Sequence, residues 1–478
     1  MAENNLKQRT FNAIIWNTIE KVLVKGSAFI ISIILARILS PTDYGLIGML
    51  SLFITLSGVF IESGISRALI QNQKSTDIDY STAFYSNIGI AIVVYFILFF
   101  SAPYIANFYS EPILCNLLRI LSLNIVISSV TIVQRAKLVT RMDFKSLAKI
   151  NFVSNVIGGV IGVAMAYTGF GVWSLVGNTL ASTIITIILF PYYAKWRPMW
   201  AFSMESFKRL FNFGYKLLIS SIVATIVNNI STIAIGKAYK SAQLGHYTRA
   251  VSFSDTIAWT LHDVIGSVSF PVLSSLQDEK ERLLNVYKKT LWYTALLVFP
   301  VMILMAVVAK PMVIVLLTEK WLPCVFYLQI MCIARMFIPI AAINLNLMNA
   351  LGRSDLFMKT DLSKTPLILI MLAITIPISV KAIVIGTLVN TIICFFINTY
   401  YPGKLLGYGA LQQILDYKKI GIALLLMIAA AYGVMQLFTT PILQFVIGGV
   451  AGVGVYVLAC YIFKIVDMQE LMSFIKRK

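Results

Sequence analysis

The sequence predicts an all-α polytopic membrane protein. About 14 transmembrane helices form two parallel, pseudo-two-fold-related six-helix lobes, followed by two extra C-terminal helices. Three observations lead there. Hydrophobic residues make up 59% of the chain and charged residues 12%, with a mean hydropathy of +0.84; soluble domains carry roughly 25% charge. The apolar residues fall in runs of about 20, the length that crosses a bilayer. One stretch also occurs twice: a shift of 200 positions carries Phe11-Asn12 onto Phe211-Asn212, Arg37 onto Lys237, Gly45 onto Gly245 and Glu62 onto His262.

Taken in order, the first six spans are Val22 to Leu39, Tyr44 to Ser66, Thr82 to Ala102, Ile113 to Val133, Ile150 to Tyr167 and Val172 to Tyr192. They constitute a first lobe over 1–202. Phe211 to Ile235, Ala250 to Leu273, Leu291 to Ala309, Val325 to Leu347, Thr365 to Ser379 and Ala382 to Tyr401 form a second lobe over 203–402. Ile420 to Leu437 and Ile442 to Phe463 lie in a remainder, 403–478, with no counterpart in the repeat; they are expected at the lipid-facing rim. The second hairpin begins six spans after the first, an even number, so both lobes insert the same way round, related by an axis along the membrane normal. Pro103 and Glu111 repeat as Pro311 and Glu319.

The net charge of +19 is an orientation signal rather than a nucleic-acid footprint. The cations sit in short loops: Arg135, Lys137, Arg141, Lys145 and Lys149 in one, Lys280, Arg282, Lys288 and Lys289 in another. By the positive-inside rule both termini are cytoplasmic. No loop is long enough for a soluble domain. The five cysteines lack CxxC spacing, which offers no zinc or redox motif. Cys115 and Cys324 occupy similar places in the two halves, as packed thiols or, less favoured, a disulfide. The amino-terminal stretch lacks a short apolar core with a small-residue cleavage site and is not read as a removable signal peptide.

Helical spacing draws polar seams along four spans: Asn17, Lys21, Lys25 and Ser32; Ser51, Thr55, Gly58 and Glu62; Ser221, Thr225, Asn228 and Thr232; Asp255, Trp259, His262 and Gly266. Such groups facing lipid would be unsatisfied, so the seams imply a shared polar chamber. Competing roles stay open. Lys21 and Lys25 can snorkel to headgroups, Arg37 and Lys237 can anchor at the interface, and Asn228-Asn229 can serve as interhelical glue. Arg119 and Arg335 sit within spans, where a charge costs on the order of 3 kcal/mol, favouring a functional or ion-paired role. Glu62, Asp255, His262 and Asp263 are candidates for proton or cation coupling, with a satisfied His262–Glu62 core pair nearly as favoured.

Several motifs do not carry chemistry. Asp77-Ile78-Asp79 has the look of a metal–nucleotide clamp, but no sugar-nucleotide domain accompanies it, so a solvated loop or helix cap is favoured. There is no GxxxxGK[ST] for ATP, and neither His246 nor His262 sits in a nucleophile or metal arrangement. The glycines of Ile447 to Val455 read as close helix packing. No catalytic residue, metal ligand or cofactor is expected.

The strings "LARILSPTDYGLIGM", "ESGISRALIQ", "APYIANFYSEP", "QRAKLVTRMDFKSLA", "GFGVWSLVGNTL" and "SFPVLSSLQD" resemble the Wzx-type polysaccharide flippases of the MATE-like exporter superfamily, nearest the colanic- and teichuronic-acid exporters. The resemblance is dense from Leu6 to Lys289 and thinner beyond. It implies a two-lobed carrier, not an enzyme, in a bacterial cytoplasmic (inner) membrane. That carrier moves an undecaprenyl-diphosphate-linked oligosaccharide to the outer leaflet for surface polysaccharide biosynthesis. On that reading Lys21, Lys25, Arg37, Lys216 and Lys237 serve the diphosphate. Thr55, Tyr85, Tyr215, Thr225, Asn228, Asn229 and Trp259 serve the glycan and cavity, and H+ or Na+ coupling is compatible. Expected partners are the lipid-linked oligosaccharide, membrane lipids and polymerase or glycosyltransferase proteins, with no nucleic acid. A MATE-like cation-coupled drug exporter is the nearest alternative, though its pocket should be acidic. A membrane polymerase or acyltransferase ranks lower, since no large outer loop is present.

Overall fold

The computed structural model describes residues 2–62, 69 and 76–465. Every described element is helical. The chain divides into two compact units, Met1–Gly245 and His246–Lys478.

The first unit holds α1 (Ala2–Ile38), α2 (Pro41–Glu62), α3 (Asp77–Tyr109), α4 (Ile113–Ser129), α5 (Ile132–Thr140), α6 (Phe144–Tyr167), α7 (Trp173–Ala194) and α8 (Met204–Ala238). The turn between α1 and α2 is dictated by "SPTD". The Ser40 amide donates to Asp43 Oδ2 at 2.9 Å and the Asp43 amide donates back to Ser40 Oγ at 3.3 Å. Pro41 fills the first helical position, where no amide is needed. Leu35, Leu39 and Ala166 bury beside that turn. α6 packs against α1 and α7 through a Gly158-x-x-x-Gly162 face: a Cβ on either glycine would collide with Ser182 or Asn178 of α7. Small residues let backbones approach closely where lipid supplies no hydrophobic drive.

α9 (Ser241–Ser274) begins in the first unit and continues into the second. The second unit adds α10 (Lys280–Val307), α11 (Ala309–Leu317), a 3₁₀ turn at Glu319–Trp321, α12 (Cys324–Arg335), α13 (Ile338–Ala350), α14 (Ser354–Thr375), α15 (Val380–Leu406), α16 (Ala410–Asp416), α17 (Lys418–Gln436) and α18 (Pro441–Ile462). α17 and α18 pack on each other and on α10, and Tyr456 Oη donates to the Leu296 carbonyl at 2.9 Å. The glycine-rich run is indeed a packing face, with Gly452 set against Leu304 and Ala431. All five cysteines are free thiols.

The structure refines the fourteen expected spans. Among the described residues ten helices are long and apolar enough to cross a membrane, or eleven if α4 and α5, bent by 43°, count as one. α1, α9 and α14 fall outside that set; they carry Glu20, Lys21 and Lys25; Asp255, His262 and Asp263; and Lys359, Asp361 and Lys364. The predicted span Ile113 to Val133 breaks after Ser129. There Ser128 and Ser129 donate to Ile125 and Val126 carbonyls, and Thr131 to that of Ser128, at 3.1, 2.7 and 2.8 Å. Hydroxyls bonded back onto their own turn bend a helix. The span predicted from Val325 stays one membrane-length stretch, Cys324–Ala350, interrupted at Met336 and Phe337, ahead of Pro339 in the first turn of α13. Packing also divides the chain within α9, whereas the repeat divides it at 202/203, since α8 lies along α2 and α3.

Candidate functional site

In the first unit, the α7–α8 connection is fastened to the start of α3. Thr76 caps α3, with its amide donating to Asp79 Oδ2 at 2.9 Å while the Asp79 amide donates to Thr76 Oγ1 at 3.3 Å. Asp79 also pairs with Arg209 of α8 at 2.5 Å, and its side chain is only 4% exposed. Asp77 pairs with Lys137 of α5 at 2.9 Å, and that ammonium sits 4.5 Å from the Tyr80 ring and 5.2 Å from the Trp196 ring. The Met199 and Ser203 amides donate to Ser81 and Thr82 hydroxyls, each at 3.0 Å. Thus Asp77-Ile78-Asp79 is a helix cap, as favoured from sequence. It is not solvated at Asp79, which joins the start of α3 to α8.

The predicted diphosphate ligands are spread along this unit. Lys21 is exposed and Lys25 half-buried on α1, Arg37 is exposed at the end of α1, and the Lys216 side chain lies outside the described residues. Lys237 donates to the Phe108 carbonyl at 2.5 Å and lies 4.8 Å from the Phe108 ring. A cation placed on the last turn of α3 favours the helix dipole. Thr55 Oγ1 donates to the Ser51 carbonyl at 2.7 Å. Tyr85 stacks on Trp200 and Tyr215 on Phe211. Thr225 is buried and its carbonyl accepts from Asn229 Nδ2 at 2.9 Å, while Asn228 is exposed. The Glu62 side chain lies outside the described residues, so the Glu62–His262 pair does too.

In the second unit, Asp255 faces Arg335 of α12, Nε to Oδ1 2.7 Å, with side chains 29% and 25% exposed. The two intramembrane charges partner one another. One turn on, Trp259 is exposed and meets His262 edge-on at 4.8 Å; His262 is half-buried and Asp263 exposed. Arg249, which sequence reasoning did not single out, is buried against the Phe253 and Trp321 rings. A second omission is a fully buried polar group. Tyr287 Oη donates to Asn344 Oδ1, and Gln413 Nε2 of α16 donates to both at 3.3 and 3.2 Å. A third omission, in the first unit, is an apolar groove of about 540 Å³ between α2, α3 and the start of α8. Isolated aromatic residues signal none of these, because each depends on what the fold brings opposite.

The described arrangement offers ion pairing, amide and aromatic faces, and apolar grooves. A family model described as polysaccharide biosynthesis protein matches residues 34–326, more than half of the chain. The chain belongs to that family. Within this polysaccharide biosynthesis family comparison, it is 24% identical to lipopolysaccharide biosynthesis protein WzxC of Escherichia coli K12 over 401 residues, covering 82% of this chain and 81% of WzxC. It is 26% identical to succinoglycan biosynthesis transport protein ExoT of Rhizobium meliloti over 306 residues, 64% of this chain and 62% of ExoT. Teichuronic acid biosynthesis protein TuaB of Bacillus subtilis is 27% identical over 304 residues, 62% of each chain. The lipid II flippase MurJ in an inward closed conformation matches with a TM-score of 0.72 at 16% identity, covering 95% of this chain and 98% of MurJ. An inward-facing MATE multidrug transporter of the MOP superfamily matches at 0.57 and 15% identity, over 81% of this chain and 97% of the transporter. This polysaccharide biosynthesis family protein therefore has the MOP superfamily fold.

Proposed function

We propose that this protein is a flippase carrying an undecaprenyl-diphosphate-linked oligosaccharide from the cytoplasmic to the outer leaflet, for surface polysaccharide biosynthesis, by alternating access. The observation that carries the reading is a coincidence in one chain: a polysaccharide biosynthesis family match, on a fold shared over nearly its whole length with a lipid flippase. The residue chemistry supports it: Lys21, Lys25, Arg37, Lys216 and Lys237 suit a diphosphate, while Tyr85, Tyr215, Asn228, Asn229 and Trp259 suit sugars. An inside-negative potential favours outward movement of each negative charge by about 2.3 kcal/mol per 100 mV. The protein then sits in a bacterial cytoplasmic membrane with both termini inside, where polymerase or glycosyltransferase partners and H+ or Na+ coupling through Glu62, Asp255, His262 or Asp263 are compatible with it but not required. A MATE-like drug exporter shares the fold, but its cationic cargo fits a basic interior poorly.

The test is deletion in the host followed by analysis of lipid-linked sugars. Accumulation of an undecaprenyl-diphosphate-linked oligosaccharide on the inner leaflet, relieved by the wild-type gene and not by K25Q/R37Q, is the expected result. Unaltered surface glycan and no accumulated lipid overturn the proposal.

A further inference from the structure

The apolar groove of the first unit has the shape and chemistry of a hydrocarbon binding site. Phe53 and Phe60 of α2, Ile90 and Val94 of α3, and Phe202 and Phe207 at the start of α8 wall a space of about 540 Å³, within the range of small-molecule sites. Its two hydroxyls are spent on their own helices: Ser57 Oγ donates to the Phe53 carbonyl and Ser86 Oγ to the Thr82 carbonyl, both at 2.6 Å. The walls thus offer no hydroxyl hydrogen to a polar guest. From Ser86 to Leu98 the groove follows α3 for about 18 Å at 1.5 Å per residue.

Two features at one end distinguish it from an ordinary lipid-facing surface. Phe207, Phe211 and Tyr215 stack in sequence along α8, with centroids 5.6 and 6.3 Å apart, and Phe202 tilts onto Phe207 at 6.2 Å. Phe202 and Phe207 of this ladder line the groove. The same segment carries exposed cations, Lys195, Arg197 and Lys208, beside the Asp79-paired Arg209, against one exposed carboxylate, Glu205. A dry hydrocarbon slot opening at a basic mouth matches a long apolar tail joined to an anionic head.

We infer that this groove holds the polyprenyl tail of the diphosphate-linked cargo, with the diphosphate at Lys195, Arg197 and Lys208. The inference rests on the proposed function and adds to it a loading site lying wholly within the first unit. A bulk phospholipid shares the hydrocarbon chemistry, and the basic mouth favours the more highly charged diphosphate.

Gly89 lines the groove, and a Cβ there meets nothing within 4 Å, so G89F grows from α3 into the slot. The full chain is placed in nanodiscs of phosphatidylcholine, and binding of radiolabelled undecaprenyl diphosphate is measured. At least tenfold weaker binding is expected for G89F. G433F on α17, equally open, should bind as wild type does. R197E/K208E, which leaves the slot intact, should weaken binding of the diphosphate and not of undecaprenol; it decides the matter should G89F fail to fold. Equal binding by wild type, G89F and R197E/K208E overturns the groove and leaves the export proposal standing. Displacement of the probe by phosphatidylglycerol at equal concentration also overturns it, by showing a bulk-lipid site. Absence of binding by the wild type counts against the export proposal itself and takes the groove with it.

Discussion

Gly45 and Gly245 occupy reciprocal positions: a Cβ on Gly45 would overlap the Ser241 carbonyl, and a Cβ on Gly245 would overlap the Pro41 carbonyl. Pro41 and Ser241 are themselves separated by the repeat shift, as are the two glycines. The first turns of α2 and α9 therefore cross at a local pseudo-two-fold point, backbone against backbone. No side chain fits there. G45A or G245A must push two helix starts apart, and overpacking of this kind costs about 1–3 kcal/mol. G58A, on the same helix with open space around it, should be near neutral. Melting temperatures of the detergent-solubilised variants check this; equal values for G45A and G58A would contradict the crossing.

How much of this was legible beforehand depends on range. The "SPTD" turn, the Gly45/Gly245 equivalence and the capping role of Asp77-Ile78-Asp79 are written in local or repeated strings, whereas the hold of Asp79 on Arg209, 130 residues away, is not. The bend after Ser129 is not, because hydropathy counts do not register hydroxyls bonding back onto their own turn. The Asp255–Arg335 pair was visible only as two charges that each needed a partner. Spacing along one helix cannot say which residue of another helix stands opposite. The apolar groove left no mark at all, since a concave wall and a convex one are built from the same Phe, Ile and Val.

Asp255 and Arg335 should behave as a unit. Removing one leaves the other charge in an apolar surround; for a buried pair this costs about 3–5 kcal/mol, and the partial exposure of both side chains moderates it. R335Q and D255N are each expected to lower thermal stability, with the swap D255R/R335D recovering part of the loss. Additive losses in the swap would show that the two charges act separately. An export assay on the same variants separates stability from transport. If Asp255 also couples an ion, D255N abolishes export even where it folds.

The two carboxylates at the start of α3 predict unequal effects. Asp77 is 62% exposed, so although Lys137 is only 12% exposed, water reaches the pair from the carboxylate side and its worth stays at about 0–1 kcal/mol, as for surface pairs. Asp79 is 4% exposed, returns the Thr76 cap and holds Arg209. D79A should therefore cost clearly more than D77A, since a lost cap alone is worth about 1 kcal/mol and the charge-assisted bond to Arg209 goes with it. Protease cleavage within 195–203 gives a local readout: D79A and R209Q should accelerate it, because the Met199 and Ser203 amides are held by the same end of α3. D77A should leave it nearly unchanged.

The Tyr287–Asn344–Gln413 group yields the last prediction. All three side chains are fully buried, and Gln413 belongs to α16, the short helix leading from α15 into α17. Its amide nitrogen is what fixes that helix to α10 and α13 in polar terms. Q413A removes a donor shared by the phenol and the Asn344 carboxamide, leaving buried acceptors less satisfied, a loss of about 1–3 kcal/mol. Replacing only one member does more harm than replacing the group with apolar residues of similar shape, since the cost lies in the unpaired polar atoms that remain. Q413L/N344L/Y287F should accordingly be more stable than Q413L alone. Melting temperatures of the two decide it: a triple variant less stable than the single one would mean the group contributes net binding energy between α10, α13 and α16 rather than merely satisfying its own polarity.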